Sequence, residues 1–215
     1  MAEVLKLAGY SAVGLTIPTG LMRDRVSSLR RLFEDQGIET FLRVDVVSGS
    51  RGELLRLLRR VRSGFDIVAV KCINQGVASV ACRDRRVDAV FFDPNQRSIR
   101  FSHAYANLLR GALEFNVVSS LLGTTSYETH SRLAKEASIS REHNTRVVLS
   151  SGSTSPEKVR SPMQVSAMGK AIGLSREQSL RGVSENPESI VQRNAERRSP
   201  AYIEEGVRIV APKAR

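Results

Sequence analysis

Apolar and polar positions along this chain follow two periods that take turns. Ala12 to Ile17 is a short apolar run stopped by Pro18 and Gly20, and Met22, Val26, Leu29 and Phe33 then recur at helical spacing until Gly37 closes the helix. Phe41 to Val47 predicts the next strand, Ser48-Gly-Ser a turn, residues 51–62 a helix, and residues 66–72 a buried strand rich in Val and Ile. The same alternation then predicts a short helix at 76–84, a strand at 88–92, a helix at 105–113, a strand at 116–120, a helix at 127–137 and a last strand at 146–150. Strands and helices alternating at this spacing make parallel βαβ units. Their number favours a closed or nearly closed α/β barrel over a doubly wound open sheet, since no glycine-rich dinucleotide fingerprint follows any strand.

After Ser150 the alternation stops and three helices follow. Ser161 before Pro162 is an N-cap with proline at the first helical position, and Val165, Met168 and Ile172 share a face up to Gly173. Ser175 with Gln178 forms a capping box for the second helix, and Asn186-Pro187-Glu188 opens the third. Residues 1–198 are therefore expected to form a single α/β barrel domain, and residues 199–215 a basic C-terminal tail.

Composition narrows the class. With 41% hydrophobic and 26% charged residues over 215, the chain can build a core and is not disordered. Its longest apolar runs have strand length, so no membrane span is expected, and residues 1–9 carry an acid where a signal peptide would be basic. Two cysteines, Cys72 and Cys82, form no CxxC motif, which fits a reducing cytoplasm. The 33 Lys and Arg outweigh the 22 Asp and Glu by +11, which serves either solubility or a polyanionic partner. Aromatic residues are only 5% of the chain, so a nucleic acid would be held through phosphates rather than stacked bases.

Placement of charge offers candidates. In the helix at 51–62, Leu54, Leu57, Leu58 and Val61 oppose Arg56, Arg59 and Arg60, which reads as the solvated face of an outer barrel helix. Residues 94–113 contain Arg97, Arg100 and Arg110 with no Asp or Glu, as a phosphate-facing edge would. Lys71 ends a buried strand and must reach solvent, a partner or a ligand. Catalytic signals are few. His103, His130 and His143 form no HxH or HExxH pattern. The carboxylates at plausible strand ends are Asp45, Asp93 and Glu114, the first two reading best as loop caps. Gly169-Lys170 lacks the rest of a P-loop, neither cysteine has a neighbouring histidine, and the Ser150 to Ser155 run could hold a phosphate oxygen or be an ordinary loop.

The segment from Ser151 to Ser175, with Arg160, Pro162 and the Gly173-Leu-Ser turn, followed by Asn186-Pro187, resembles the C-terminal signature of the ribonuclease P protein component 3 family. Upstream, Ala8-Gly-Tyr-Ser, Phe65-Asp-Ile-Val-Ala-Val-Lys71 and Arg86-Val-Asp-Ala-Val-Phe-Phe fall in the order of that family's core strands, so the resemblance covers about residues 2–194. It implies a TIM-like barrel of the polymerase and histidinol phosphatase superfamily type without that superfamily's metal ligands. The chain begins within the helix that members place after their first strand, so a barrel one strand short, or a start further upstream, is expected. The resemblance also implies a subunit of the ribonucleoprotein that removes 5′ leaders from precursor tRNA. There the RNA subunit is the catalyst and needs magnesium, no cofactor is expected on this chain, and component 2 and other protein subunits are the partners. Arg160 is the family position carried over as RNA-binding, with Arg97 and Arg100 in a loop where members are basic. Lys71, Lys158 and Arg132 join them from charge placement. The lack of a long charged C-terminal extension points to an archaeal source. The competing reading is a metal-dependent phosphoesterase on the same barrel.

Overall fold

The computed structural model describes residues 1–18, 23–121, 127–204 and 207–209; Gly20 and Met22, assigned above to a turn and a helix, lie outside them, as do residues 210–215 of the expected tail. From the N-terminus, α1 (Ala2–Leu7), β1 (Ala12–Thr16), α2 (Arg23–Glu34), β2 (Glu39–Val47), α3 (Arg51–Val61), β3 (Ile67–Lys71) and α4 (Gln75–Ala81) alternate. They continue as β4 (Ala89–Phe91), α5 (His103–Leu108), β5 (Ala112–Asn116), α6 (Val117–Leu121), α7 (Tyr127–Glu142) and β6 (Val147–Ser150). Then come α8 (Pro162–Ala171), α9 (Arg176–Val183), α10 (Glu185–Arg198), β7 (Tyr202–Glu204) and β8 (Val207–Arg208).

β1 to β6 form one sheet, every pair parallel and the spatial order identical to the sequence order. Each right-handed crossover in a sheet whose order never reverses puts its helix on the same face. That is the winding of a barrel and not of a doubly wound sheet, where the order reverses. The sheet is consistent with the expected TIM-like barrel but stops short of the closed or nearly closed form: β1 and β6 are edges among the described residues, and six strands curl into a half-barrel where a complete barrel uses eight.

The two faces of the sheet carry different cores. On the crossover side, Val68, Val70, Val90, Leu113, Phe115 and Leu149 join Leu54 and Leu58 of α3 and Val77 of α4 in one buried cluster. On the other face, Ile190 of α10 packs on Ala112 and Val148, with Ile67 beside them. In register there, Ala69, Ala89 and Ala112 form a row of small side chains that leaves room above the strands. α8 and α9 instead pack against β6; a Cβ on Gly169 of α8 would lie 2.5 Å from Leu149 Cδ1, so glycine there lets the helix seat on Leu149 without displacing that side chain.

Local signals account for most boundaries. Ser161 accepts the N–H of Gln164 and Ser175 that of Gln178, and in both boxes the Gln side chain returns a bond to the cap backbone. The third helix starts earlier than its Asn-Pro signal: α10 begins at Glu185, and Asn186 instead donates its side-chain N–H to the carbonyl of Val147 at 2.7 Å. The fifth strand also moves. Residues 112–116 form β5 and residues 117–121 are helical, so the expected strand at 116–120 and helix to 113 are corrected. Within residues 199–215, β7 and β8 make a short antiparallel pair. Among the described residues no helix is long and apolar enough to cross a membrane.

Candidate functional site

Four of the six basic residues singled out from the sequence gather around the C-terminal ends of β3 and β4, and carboxylates meet them there. Lys71 Nζ lies 2.9 Å from Asp93, whose pKa is held down against its partial burial by that ammonium and by the backbone N–H of Asn95. Arg97 and Arg132 both reach Glu128, at 3.1 and 3.4 Å, and Arg132 also donates to the carbonyl of Pro94. Arg100 acts electrostatically on the buried Glu136, which accepts the N–H of Phe101. The acid-free stretch at 94–113 therefore faces acids supplied by α7, a pairing invisible within the stretch itself.

Arg160 and Lys158 lie in the segment after β6. Arg160 Nη1 donates to the carbonyls of Glu157 and Val159, and its own carbonyl accepts the Tyr10 hydroxyl at 2.8 Å. Two stretches that carried the family resemblance, 150 residues apart, are thus joined directly. Lys158 is exposed, and its carbonyl accepts the Ser153 hydroxyl. In the Ser150 to Ser155 loop, Ser150 bonds Asn116, and Ser151 accepts the N–H of Ser153.

On the face of the sheet that holds α10, Arg43 of β2 reaches across the alanine row to Glu114 of β5 at 2.8 Å and also bonds Asp45 at 2.6 Å. Its guanidinium carbon sits 6.0 Å from the centre of the Phe91 ring. Glu114 is nearly inaccessible, and its Oε2 has no partner among the described residues. Burial raises the pKa of Asp45 while Arg43 pulls it back, and the two carboxylates keep Arg43 protonated. Asp45 is therefore part of a partly buried ion cluster and not the loop cap expected of it; Asp93, accepting the N–H two residues on, is one. The three histidines stand apart from these groups, His103 Nδ1 and His143 Nε2 being 3.0 Å from each other. Burial raises the pKa of both cysteines, Cys82 to about 12, which leaves them unreactive.

The opposite end of the sheet holds what the sequence reading missed. Arg85 before β4, Arg110 before β5, Arg146 before β6 and Arg193 and Arg197 of α10 line one cavity of about 320 Å³. The carboxylate beneath it, Asp88, is wholly buried and already engaged: Arg62 at 2.6 Å, Arg193 at 2.7 Å and the N–H of Val68 at 2.8 Å hold it. Arg85, Arg110 and Arg146 make no ion pair among the described residues. The five come from three separate turns and one helix, so no sequence window shows the group; only Arg110 lay in a stretch already marked as basic. Converging guanidinium groups, three of them without an ion pair among the described residues, form a site for an anion, most naturally phosphate.

Comparisons with known proteins agree in direction. The family model described as RNase P subunit p30 matches residues 1–199. The chain is 25% identical over 210 residues to ribonuclease P protein component 3 of Methanosarcina acetivorans, covering 94% of this chain and 84% of that one. It is 26% identical to the protein of the same name from Methanosarcina barkeri, over 98% and 88% of the two chains. Among solved structures, a chain of an archaeal ribonuclease P with mature tRNA, seen by cryo-electron microscopy, superposes with a TM-score of 0.85 over 100% of this chain and 96% of that chain, at 16% identity.

Proposed function

Because this chain belongs to the RNase P subunit p30 family, we propose that it is built into the ribonucleoprotein that removes the 5′ leader from precursor tRNA, where it binds and braces the catalytic RNA and leaves the cleavage to it. The observation that carries the RNA-binding part is the convergence of five arginines on one cavity, while the buried carboxylate Asp88 is already held by Arg62 and Arg193. In this reading component 2 is its protein partner, magnesium serves the RNA subunit, the complex works in the cytoplasm, and the half-barrel is of the polymerase and histidinol phosphatase type. Its one-sided sequential winding supports that last assignment.

Arg160, Lys158, Arg97, Arg100, Lys71 and Arg132 remain RNA contacts of the proposal, ranked below the cavity because Lys71, Arg97 and Arg132 share their charge with acids and Arg160 spends one nitrogen on its own turn. A metal-dependent phosphoesterase is not favoured: the carboxylates Asp45 and Glu114 are spent on Arg43. The test is reconstitution. Adding the chain together with component 2 to the ribonuclease P RNA is expected to raise cleavage of precursor tRNA. No gain at any magnesium concentration overturns the proposal.

A further inference from the structure

Gathering five like charges is something folding alone does not reward. At the N-terminal strand ends the repulsion is visible in Arg193: burial lowers its pKa first, Asp88 raises it, and Arg197 and Arg146 lower it further. Its Nε is buried with no partner among the described residues. The five residues come from two bodies. Arg85, Arg110 and Arg146 belong to the turns before β4, β5 and β6, while Arg193 and Arg197 lie one helical turn apart on α10. What fastens α10 to the sheet is chiefly polar: Arg193 to Asp88, Arg198 to Asp66 at 2.5 Å, Asn194 to the carbonyl of Asp66 at 2.9 Å and Asn186 to that of Val147, with Ile190 and Asn194 its buried side chains.

We propose that this cavity is a clasp for RNA backbone phosphates that bridges α10 to the turns before β4, β5 and β6, so that RNA binding locks α10 onto the half-barrel. The inference rests on the reading of the chain as an RNA-binding ribonuclease P subunit and assigns that reading to one end of the sheet. A phosphate oxygen can accept from guanidiniums on both sides at once, which turns mutual repulsion into cross-linking. A strand fits better than a lone ion, because a second depression of about 630 Å³, lined in part by Arg141, continues from the first through the shared Arg146. The other arginine of that depression, Arg181, is already paired with Glu177 and Glu185 and marks where the track ends. The clasp lies at the end of the strands opposite to the one where α/β barrels carry their catalytic groups. An RNA held there meets no catalytic constellation of the protein.

The experiment compares the full-length wild type with the double variant Arg110→Gln, Arg146→Gln, two exposed positions without ion pairs. Affinity for the ribonuclease P RNA is measured across a salt series, and amide exchange of residues 185–198 is followed with and without that RNA. The variant is expected to bind at least about tenfold more weakly at 0.15 M salt, with the log–log salt slope reduced by about 2. Without RNA its melting temperature equals or exceeds that of the wild type, which excludes misfolding as the cause. RNA should slow exchange in α10 of the wild type and no longer do so in the variant. Wild-type affinity and slope in the variant, or unchanged α10 exchange in the wild type, overturn the clasp. If Arg97→Gln with Arg100→Gln carries the loss instead, RNA binding stands and the clasp falls. If inorganic phosphate at matched ionic strength slows α10 exchange as strongly as RNA, the cavity is a small-anion site. If the wild type binds no RNA, the functional reading falls with the clasp.

Discussion

Glu136 sets a pH dependence into this fold by itself. Burial in α7 pushes its pKa up to about 7, while the N–H of Phe101 and the charges of Arg100 and Arg132 pull the other way. A carboxyl whose folded pKa exceeds its unfolded value stabilises the protein fully below the unfolded pKa, near 4.5, and that stability is lost as pH rises through about 7. The loss is on the order of 3 kcal/mol. Glu136→Gln keeps an acceptor for Phe101 and removes the charge. Its melting temperature should match the wild type at pH 5 and exceed it by several degrees at pH 8; parallel pH profiles for the two proteins would contradict this account. Glu136 was not readable in advance, and Glu114 was legible only as a carboxylate near a strand end. Glu136 has the sequence context of any polar helix position, and Glu114 becomes tolerable in a strand only because Arg43 arrives from 71 residues away.

Elements whose ends are fixed by neighbouring residues were readable, and those fixed by distant ones were not. The boxes that start α8 and α9 are local, and the Val- and Ile-rich runs of β3 and β6 are bounded by polar turns. β5 is displaced because an acid in its centre interrupts the apolar pattern, so periodicity shifts the strand to the next apolar run. Gly111 shows what holds β5 in its actual register: a Cβ there would lie 2.6 Å from the carbonyl oxygen of Asp88 and 3.1 Å from that of Val87. Those atoms are backbone, and Asp88 also receives the N–H of Ala112 into the ladder. Gly111→Ala must push β5 away from β4, at a cost of about 2 kcal/mol. A urea midpoint lowered accordingly, with unchanged m, is the expected result; an unchanged midpoint would show that the strands have slack. The half-barrel was likewise only partly legible, since alternation gives the winding but not whether the edges meet.

Across the whole molecule, the excess of +11 is not spread evenly. At the C-terminal strand ends cations meet acids, while at the N-terminal ends of β4 to β6 three arginines have no ion pair among the described residues and two more on α10 face them. The sequence marked only Arg110 of the cavity, because its arginines come from positions as far apart as Arg85 and Arg197, which the fold alone brings into contact. The family, in contrast, was legible, because its motifs are contiguous and, as Tyr10 and Arg160 show, structurally joined. Identifying the RNA that copurifies with the chain from its native cell tests the central claim most directly. Ribonuclease P RNA enriched far above its share of cellular RNA is the predicted result, and RNA recovered in proportion to its cellular abundance would contradict it.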